Sequence, residues 1–227
     1  SGILNCLTAD QQLQLLFTQD SDGDRALHYA AREGYTETVK TLLENLTPEQ
    51  RLQLLFTQDI YGNTALHYAA LRGHAEAVKT LLDNLTPEQQ LKLLITQDSD
   101  GDTALHNAAR ERHTETLKTL LYNLTPEQQL KLLITQDSNG NTALHYAAHL
   151  GHTETVKTMV NNLTPEQQLK ILFTQNSDGD TALHCAALRG HTEAVRTLLD
   201  ILTPDQQLKI LSVQNKMGNT AQQYGTS

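Results

Sequence analysis

The 227-residue chain has no tryptophan, three phenylalanines and two cysteines, and its apolar runs are only a few residues long. Spanning a bilayer as a helix takes ~20 consecutive apolar residues, so no membrane partner is expected. Cys6 and Cys185 are far apart and unpatterned. They form no disulfide framework, and a reducing, cytoplasmic setting is expected. No signal peptide is visible. Basic residues are few, 17 against 26 acidic ones for a formal net charge of −9, and they do not cluster. Nucleic acids are bound through a basic stripe, so none is expected here. The sequence also lacks Gly-x-Ser-x-Gly, a phosphate-cradling glycine loop and His-Glu-x-x-His. Catalysis has no motif to rest on, and no cofactor is expected. No linker or low-complexity tract divides the chain, which reads as one repeat domain over 1–227.

What is there is a period. Leu-Thr-Pro-(Glu/Asp)-Gln-(Gln/Arg)-Leu begins at Leu46, Leu85, Leu124, Leu163 and Leu202, always 39 residues apart, with a variant at Leu7. Residues 85–123 and 124–162 are identical at 29 of 39 positions. The repeats run 7–45, 46–84, 85–123, 124–162 and 163–201, with a partial capping repeat at 202–227. Ile3-Leu4-Asn5-Cys6 aligns with Leu42-Leu43-Glu44-Asn45, the tail of a repeat, so a longer array is expected. Ser1-Gly2 lies outside the pattern, as a cloning scar would. A fixed period of this length marks a solenoid, in which each unit packs mainly on its neighbours.

Within 46–84, Thr47-Pro48-Glu49-Gln50 starts a helix. Thr47 caps free N–H groups, Pro48 suits the first helical position and Gln50 closes a capping box. Leu52, Leu54, Leu55 and Phe56 give it an apolar side. Asp59 to Thr64 is turn chemistry, with Gly62 at its centre. Thr64 then caps a second helix, Ala65 to about Arg72, which Gly73 ends in a left-handed conformation. A third helix, Ala75 to Asp83, turns Ala77, Val78, Leu81 and Leu82 inward. Helices this short are marginal alone in water, so their stability depends on stacking.

The string Asp59-x-x-Gly62-x-Thr64-Ala65-Leu66-His67-x-Ala69-Ala70-x-x-Gly73-His74-x-x-x-Val78-x-x-Leu81-Leu82 resembles the ankyrin repeat, with Ala65 where that family usually has proline. It recurs at Asp98–Leu121, Asp137–Val160 and Asn176–Leu199, and more loosely at Asp20–Leu43. Ankyrin units have about 33 residues. Here the segment that usually builds a β-hairpin finger is replaced by the Thr-Pro helix. The resemblance implies an all-α, ankyrin-like solenoid with three short helices per 39-residue repeat. It also implies a non-catalytic, monomeric protein-binding module.

Two patterns invite a metal reading. His28, His67, His106, His145 and His184 hold one position, and His74, His113, His152 and His191 another. Equivalent residues of stacked units lie about 8–10 Å apart, too far to share an ion. His145, His149 and His152 form a closer set, but His145 is expected to face inward. The Asp20–Asp24 and Asp98–Asp102 turns resemble a calcium loop. Its bidentate twelfth position falls on Ala31 and Ala109, so the turn reading stands. No metal site is expected.

Copies of one unit differ freely only where packing does not decide. The differences fall at the turn tips, on the second helix and one turn further along. The expected partner-binding residues are Asp22, Ile60, Tyr61, Asp100, Asn139 and Asp178 at the tips, and Tyr29, Tyr68, Asn107 and Tyr146 on the helix. Beyond them come Arg32, Leu71, Arg72, Arg110, His149 and Leu188. They share one face at helical spacing. In ankyrin proteins the matching positions form the concave recognition surface. Cys185 reads as a small surface or interface residue.

The favoured reading is a protein-interaction module. Similar 39-residue ankyrin-like arrays occur in effectors of intracellular bacteria, which makes a host protein the implied partner and the host cytoplasm its place. The alternatives are a structural spacer within a larger protein and a designed repeat scaffold. Against design, Arg112 stands where the other units end the second helix with glycine, at a cost of up to about 1 kcal/mol.

Overall fold

A computed structural model describes residues 7–225. Ser1-Gly2 and the repeat tail at 3–6, Cys6 included, fall outside the described residues. The first repeat contains α1 (Ala9–Phe17), α2 (Ala26–Glu33) and α3 (Thr36–Glu44), and the second α4 (Pro48–Leu55), α5 (Ala65–Leu71) and α6 (Ala75–Leu82). Next come α7 (Pro87–Leu94), α8 (Ala104–Arg110), α9 (Thr114–Leu121), α10 (Pro126–Leu133), α11 (Ala143–His149) and α12 (Thr153–Val160). The last elements are α13 (Pro165–Leu172), α14 (Ala182–Leu188), α15 (Thr192–Asp200), α16 (Pro204–Ser212) and α17 (Ala221–Tyr224). Among the described residues the one β-type pairing is an isolated bridge, Gln214 with Thr220.

Each predicted start is a helix start. In α4 the Thr47 hydroxyl accepts from the Gln50 N–H at 3.2 Å, and the Gln50 side-chain oxygen accepts from the Thr47 N–H at 3.0 Å. Such a cap contributes about 1 kcal/mol. The second helices use histidine for the same purpose. The Thr64 N–H donates to His67 Nδ1 at 3.1 Å. With Nδ1 an acceptor, the ring proton sits on Nε2, which donates to the Asp102 carbonyl of the next repeat at 3.0 Å. His28, His106, His145 and His184 reach the carbonyls of Asn63, Asn141, Asp180 and Asn219 in the same way. Burial holds the pKa of His28, His67 and His106 below the usual histidine value and pushes His145 down to about 4.

The second helices stack into one column, α2–α5–α8–α11–α14–α17, and the third helices into another, α3–α6–α9–α12–α15. Small side chains set the spacing of the first column: Ala69, Ala70, Ala108, Ala109, Ala147 and Ala148 are all 0% exposed. Val78, Leu81, Leu117 and Val156 close the second. The Thr-Pro helices form an outer column that adds Leu54, Leu55, Leu93, Leu94, Leu132 and Leu133 to the same core.

The second set of histidines ties each repeat to the one before. His74, His113 and His191 donate from Nε2 to the carbonyls of Arg32, Leu71 and His149. Each ring lies against the glycine that ends the preceding second helix. A Cβ on Gly73, whose φ is +75°, would come within 2.5 Å of the His113 ring. Arg112 supplies such a Cβ, at φ 61°. The facing ring, His152, binds differently, with Nδ1 on the Ala109 carbonyl at 3.0 Å. The departure seen in the sequence thus displaces a hydrogen bond in the next repeat.

Candidate binding face

The turns between first and second helices stack edge to edge. The Ile60 N–H donates to the Asp22 carbonyl at 2.9 Å, and the N–H groups of Ser99, Ser138 and Ser177 donate to the carbonyls of Tyr61, Asp100 and Asn139 at 3.0 Å. Within a turn, Asp59 Oδ1 accepts from the N–H groups of Tyr61 and Asn63 at 3.0 and 2.8 Å. Gln58 Nε2 donates to the Gly62 carbonyl and to the Gln97 carbonyl one repeat on, and Gln97 and Gln136 repeat the arrangement. The tips are therefore fixed in a row by backbone bonds, with side chains left to solvent.

Asp22, Ile60, Tyr61, Asp100, Asn139 and Asp178 are all exposed on that row. Ile60 is 60% and Tyr61 55% exposed, high values for adjacent large apolar side chains. Arg72 and Leu188 are also exposed, whereas Leu71 and His149 are half-buried. His149 Nε2 accepts from Arg189 Nε at 3.1 Å.

Several residues expected on this face belong to the joints between repeats. Asn107 is 5% exposed and offers no surface; Cys185, at the same position of its repeat and read as a small surface or interface residue, is 7% exposed and lies at the interface. At these positions a smaller side chain sinks into the space beside the neighbouring helix, which tyrosine cannot do. Burial raises the Cys185 thiol to about 12, which removes the thiolate that nucleophilic chemistry needs. Tyr68 and Tyr146 are half-buried, and their hydroxyls donate to Asp59 and Asp137. Arg32 donates to Asp24 at 2.8 Å and lies 3.9 Å from the centre of the Tyr68 ring; Arg110 repeats this with Asp102 and Tyr146 at 2.8 and 4.2 Å. Tyr29 is 46% exposed, with its hydroxyl on Asp20.

These joints hold two orphaned oxygens. Asp24 Oδ1 and Asp102 Oδ1 are buried without a hydrogen-bond partner. At later joints the equivalent oxygens are satisfied by the next turn: Asn176 Nδ2 donates to Asn141 Oδ1, and Asn215 Nδ2 to Asp180 Oδ1, both at 2.8 Å. The residues matching Asn176 and Asn215 opposite Asp24 and Asp102 are Asp59 and Asp137, which have no proton to give when ionised. Burial raises the Asp102 pKa above its ordinary value.

Exposed large apolar groups also lie at positions outside the expected face: Tyr35, Tyr122, Leu208 and Met217. Met217 was legible, since Lys216-Met217 occupies the tip position of the partial repeat. The close histidine set is engaged separately, His145 with Asp180, His149 with Arg189 and His152 with Ala109. Among the described residues no group of three histidine, cysteine or acidic side chains is placed to hold a metal ion.

Comparison with curated proteins gives no match. A family model described as "Ankyrin repeats (3 copies)" matches residues 3–92, 52–131, 87–170 and 123–210. With those overlapping matches on a stack of helical repeats, the chain belongs to the ankyrin-repeat family.

Proposed function

We propose that residues 1–227 act as one monomeric, non-catalytic domain that binds a protein partner along the turn tips, centred on Ile60 and Tyr61. Ankyrin repeats generally serve as protein–protein interaction modules. The observation that carries the assignment of the face is the exposed Ile60-Tyr61 pair, held on a turn that backbone bonds fix from both sides. An aromatic anchor on a rigid support needs little ordering on binding. Asp22, Asp100, Asn139 and Asp178 complete the tips. Tyr29, Arg72 and Leu188 extend the surface onto the second helices. Tyr68, Tyr146, Arg32 and Arg110 support it from beneath. The likeness to 39-residue ankyrin-like arrays of bacterial effectors extends the proposal to a host protein met in the host cytoplasm. Replacing Ile60 and Tyr61 by serine tests it. Capture of a protein from cell lysate should be lost while the melting temperature holds, since exposed substitutions cost within about 0.5 kcal/mol. Unchanged capture by this variant refutes the face, and no capture by the unaltered chain favours a spacer.

A further inference from the structure

The turn edge has a charge as well as an apolar centre. The five turns at 20–25, 59–64, 98–103, 137–142 and 176–181 contain ten of the 26 acidic residues and one of the 17 basic ones, Arg25. Some of that charge is used within the fold. Asp24 and Asp102 pair with Arg32 and Arg110, and Asp59 and Asp137 accept tyrosine hydroxyls. Asp22, Asp100 and Asp178 are different. They stand exposed on alternate tips, and only their backbone groups are engaged. Ile60 and Tyr61 lie on the tip between the first two. Lys216 reverses the charge at the sixth tip and ends the acidic run.

We propose that this edge docks a cationic, extended segment of a partner protein. Its lysine or arginine side chains meet Asp22, Asp100 and Asp178, and an apolar side chain rests on Ile60 and Tyr61. The proposal rests on the turn edge being the partner-binding face. The geometry sets a register. Stacked helices lie about 8–10 Å apart, which puts alternate tips about 16–20 Å apart. An extended chain rises about 3.3 Å per residue, so cations five or six residues apart reach successive acidic tips, with the apolar residue midway. Unpaired carboxylates on a fixed row favour cationic partners and repel polyanions.

The probe is a fluorescein-labelled synthetic peptide with arginine at every fifth position, leucine midway in the first gap and serine elsewhere. Binding is followed by anisotropy. The unaltered chain should bind it saturably, and raising the salt from about 50 to about 200 mM should weaken binding about three-fold or more through screening. Asp22→Asn with Asp100→Asn and Asp178→Asn should weaken it about ten-fold, or 1.4 kcal/mol. Glu88→Gln with Glu127→Gln and Glu166→Gln changes the net charge equally, on exposed Thr-Pro helices, and should leave affinity unchanged. A peptide with glutamate for arginine should not bind. Equal loss in the two triple variants, binding of the glutamate peptide, or no saturable binding overturns the proposal. So does self-association in sedimentation that the aspartate variant abolishes, because a second copy would then be the occupant. If the partner captured from lysate is lost with the Ile60 and Tyr61 serine variant but kept by the aspartate variant at all salt concentrations, the charge reading fails and the face stands. If both variants keep the partner, both readings fail.

Discussion

Asp137→Asn should make the protein more stable, although it removes a charge from a buried joint and adds no bulk. Asp102 Oδ1 is buried and unpartnered, and Asp137 occupies the position from which Asn215 donates to Asp180 Oδ1 at 2.8 Å. The same Asn215 amide donates to Tyr224 Oη at 3.1 Å, so the asparagine also serves the tyrosine that Tyr146 matches. A buried polar group left unsatisfied costs about 1–3 kcal/mol. Supplying the donor should therefore recover about 1–2 kcal/mol at pH 7, which for a chain of this size is a rise of roughly 2–8 °C in Tm. The gain has a definite pH dependence. Because burial raises the folded pKa of Asp102 above its ordinary 3.8, its contribution to stability is fully present below 3.8 and is lost as pH rises through the raised value. A protonated Asp102 can give its own hydrogen to Asp137. The advantage of the variant should thus shrink as pH falls toward 4. Urea denaturation of both proteins at pH 7 and near pH 4 measures it, and the titrations of groups unaltered between the two proteins cancel in the difference. Asp98→Asn is the control, because the facing residue there is Asn63 and no carboxylate is relieved. A variant less stable than the parent at pH 7, or equally stabilised at both pH values, refutes the reasoning.

Two further outcomes follow from the stacking. Arg112→Gly should add about 1 kcal/mol, since it relieves a left-handed residue that carries a Cβ; it should also move the His152 contact from Nδ1 to Nε2, which nitrogen-15 NMR of the ring reads directly. The inter-repeat histidines make stability fall on acidification: with the His145 pKa down to about 4 against an ordinary 6.5, stability is full above pH 6.5 and is lost as pH falls through that window. Lowering a pKa by one corresponds to about 1.4 kcal/mol, so a urea midpoint that stays flat from pH 7 to pH 5 contradicts the buried, neutral histidines.

How much was legible in the sequence depends on the range of the interaction. Thr47, Pro48 and Gln50 announce a helix start because capping is a contact over three residues, and the structure places it there. Ala69 and Ala70 announce close packing because only small side chains allow it. The joints were opaque. Asp24 and Asp59 are 35 residues apart and occupy different positions of neighbouring repeats, so comparing repeats in register hides their opposition. Tyr68 and Asn107 hold one sequence position. One side chain is half-buried against Arg32 and the other, being smaller, is wholly buried, a difference that the shared position does not announce. Arg112 lay between these cases. Its positive φ was readable from the glycines aligned with it, whereas the altered His152 contact was not.

The most direct measurement places a photo-crosslinking benzoylphenylalanine at Tyr61 and, separately, at Tyr122, which is exposed at the end of α9. Irradiation with the captured partner should give a covalent adduct from position 61 and none from position 122. An adduct from position 122 alone would contradict the turn edge as the binding face.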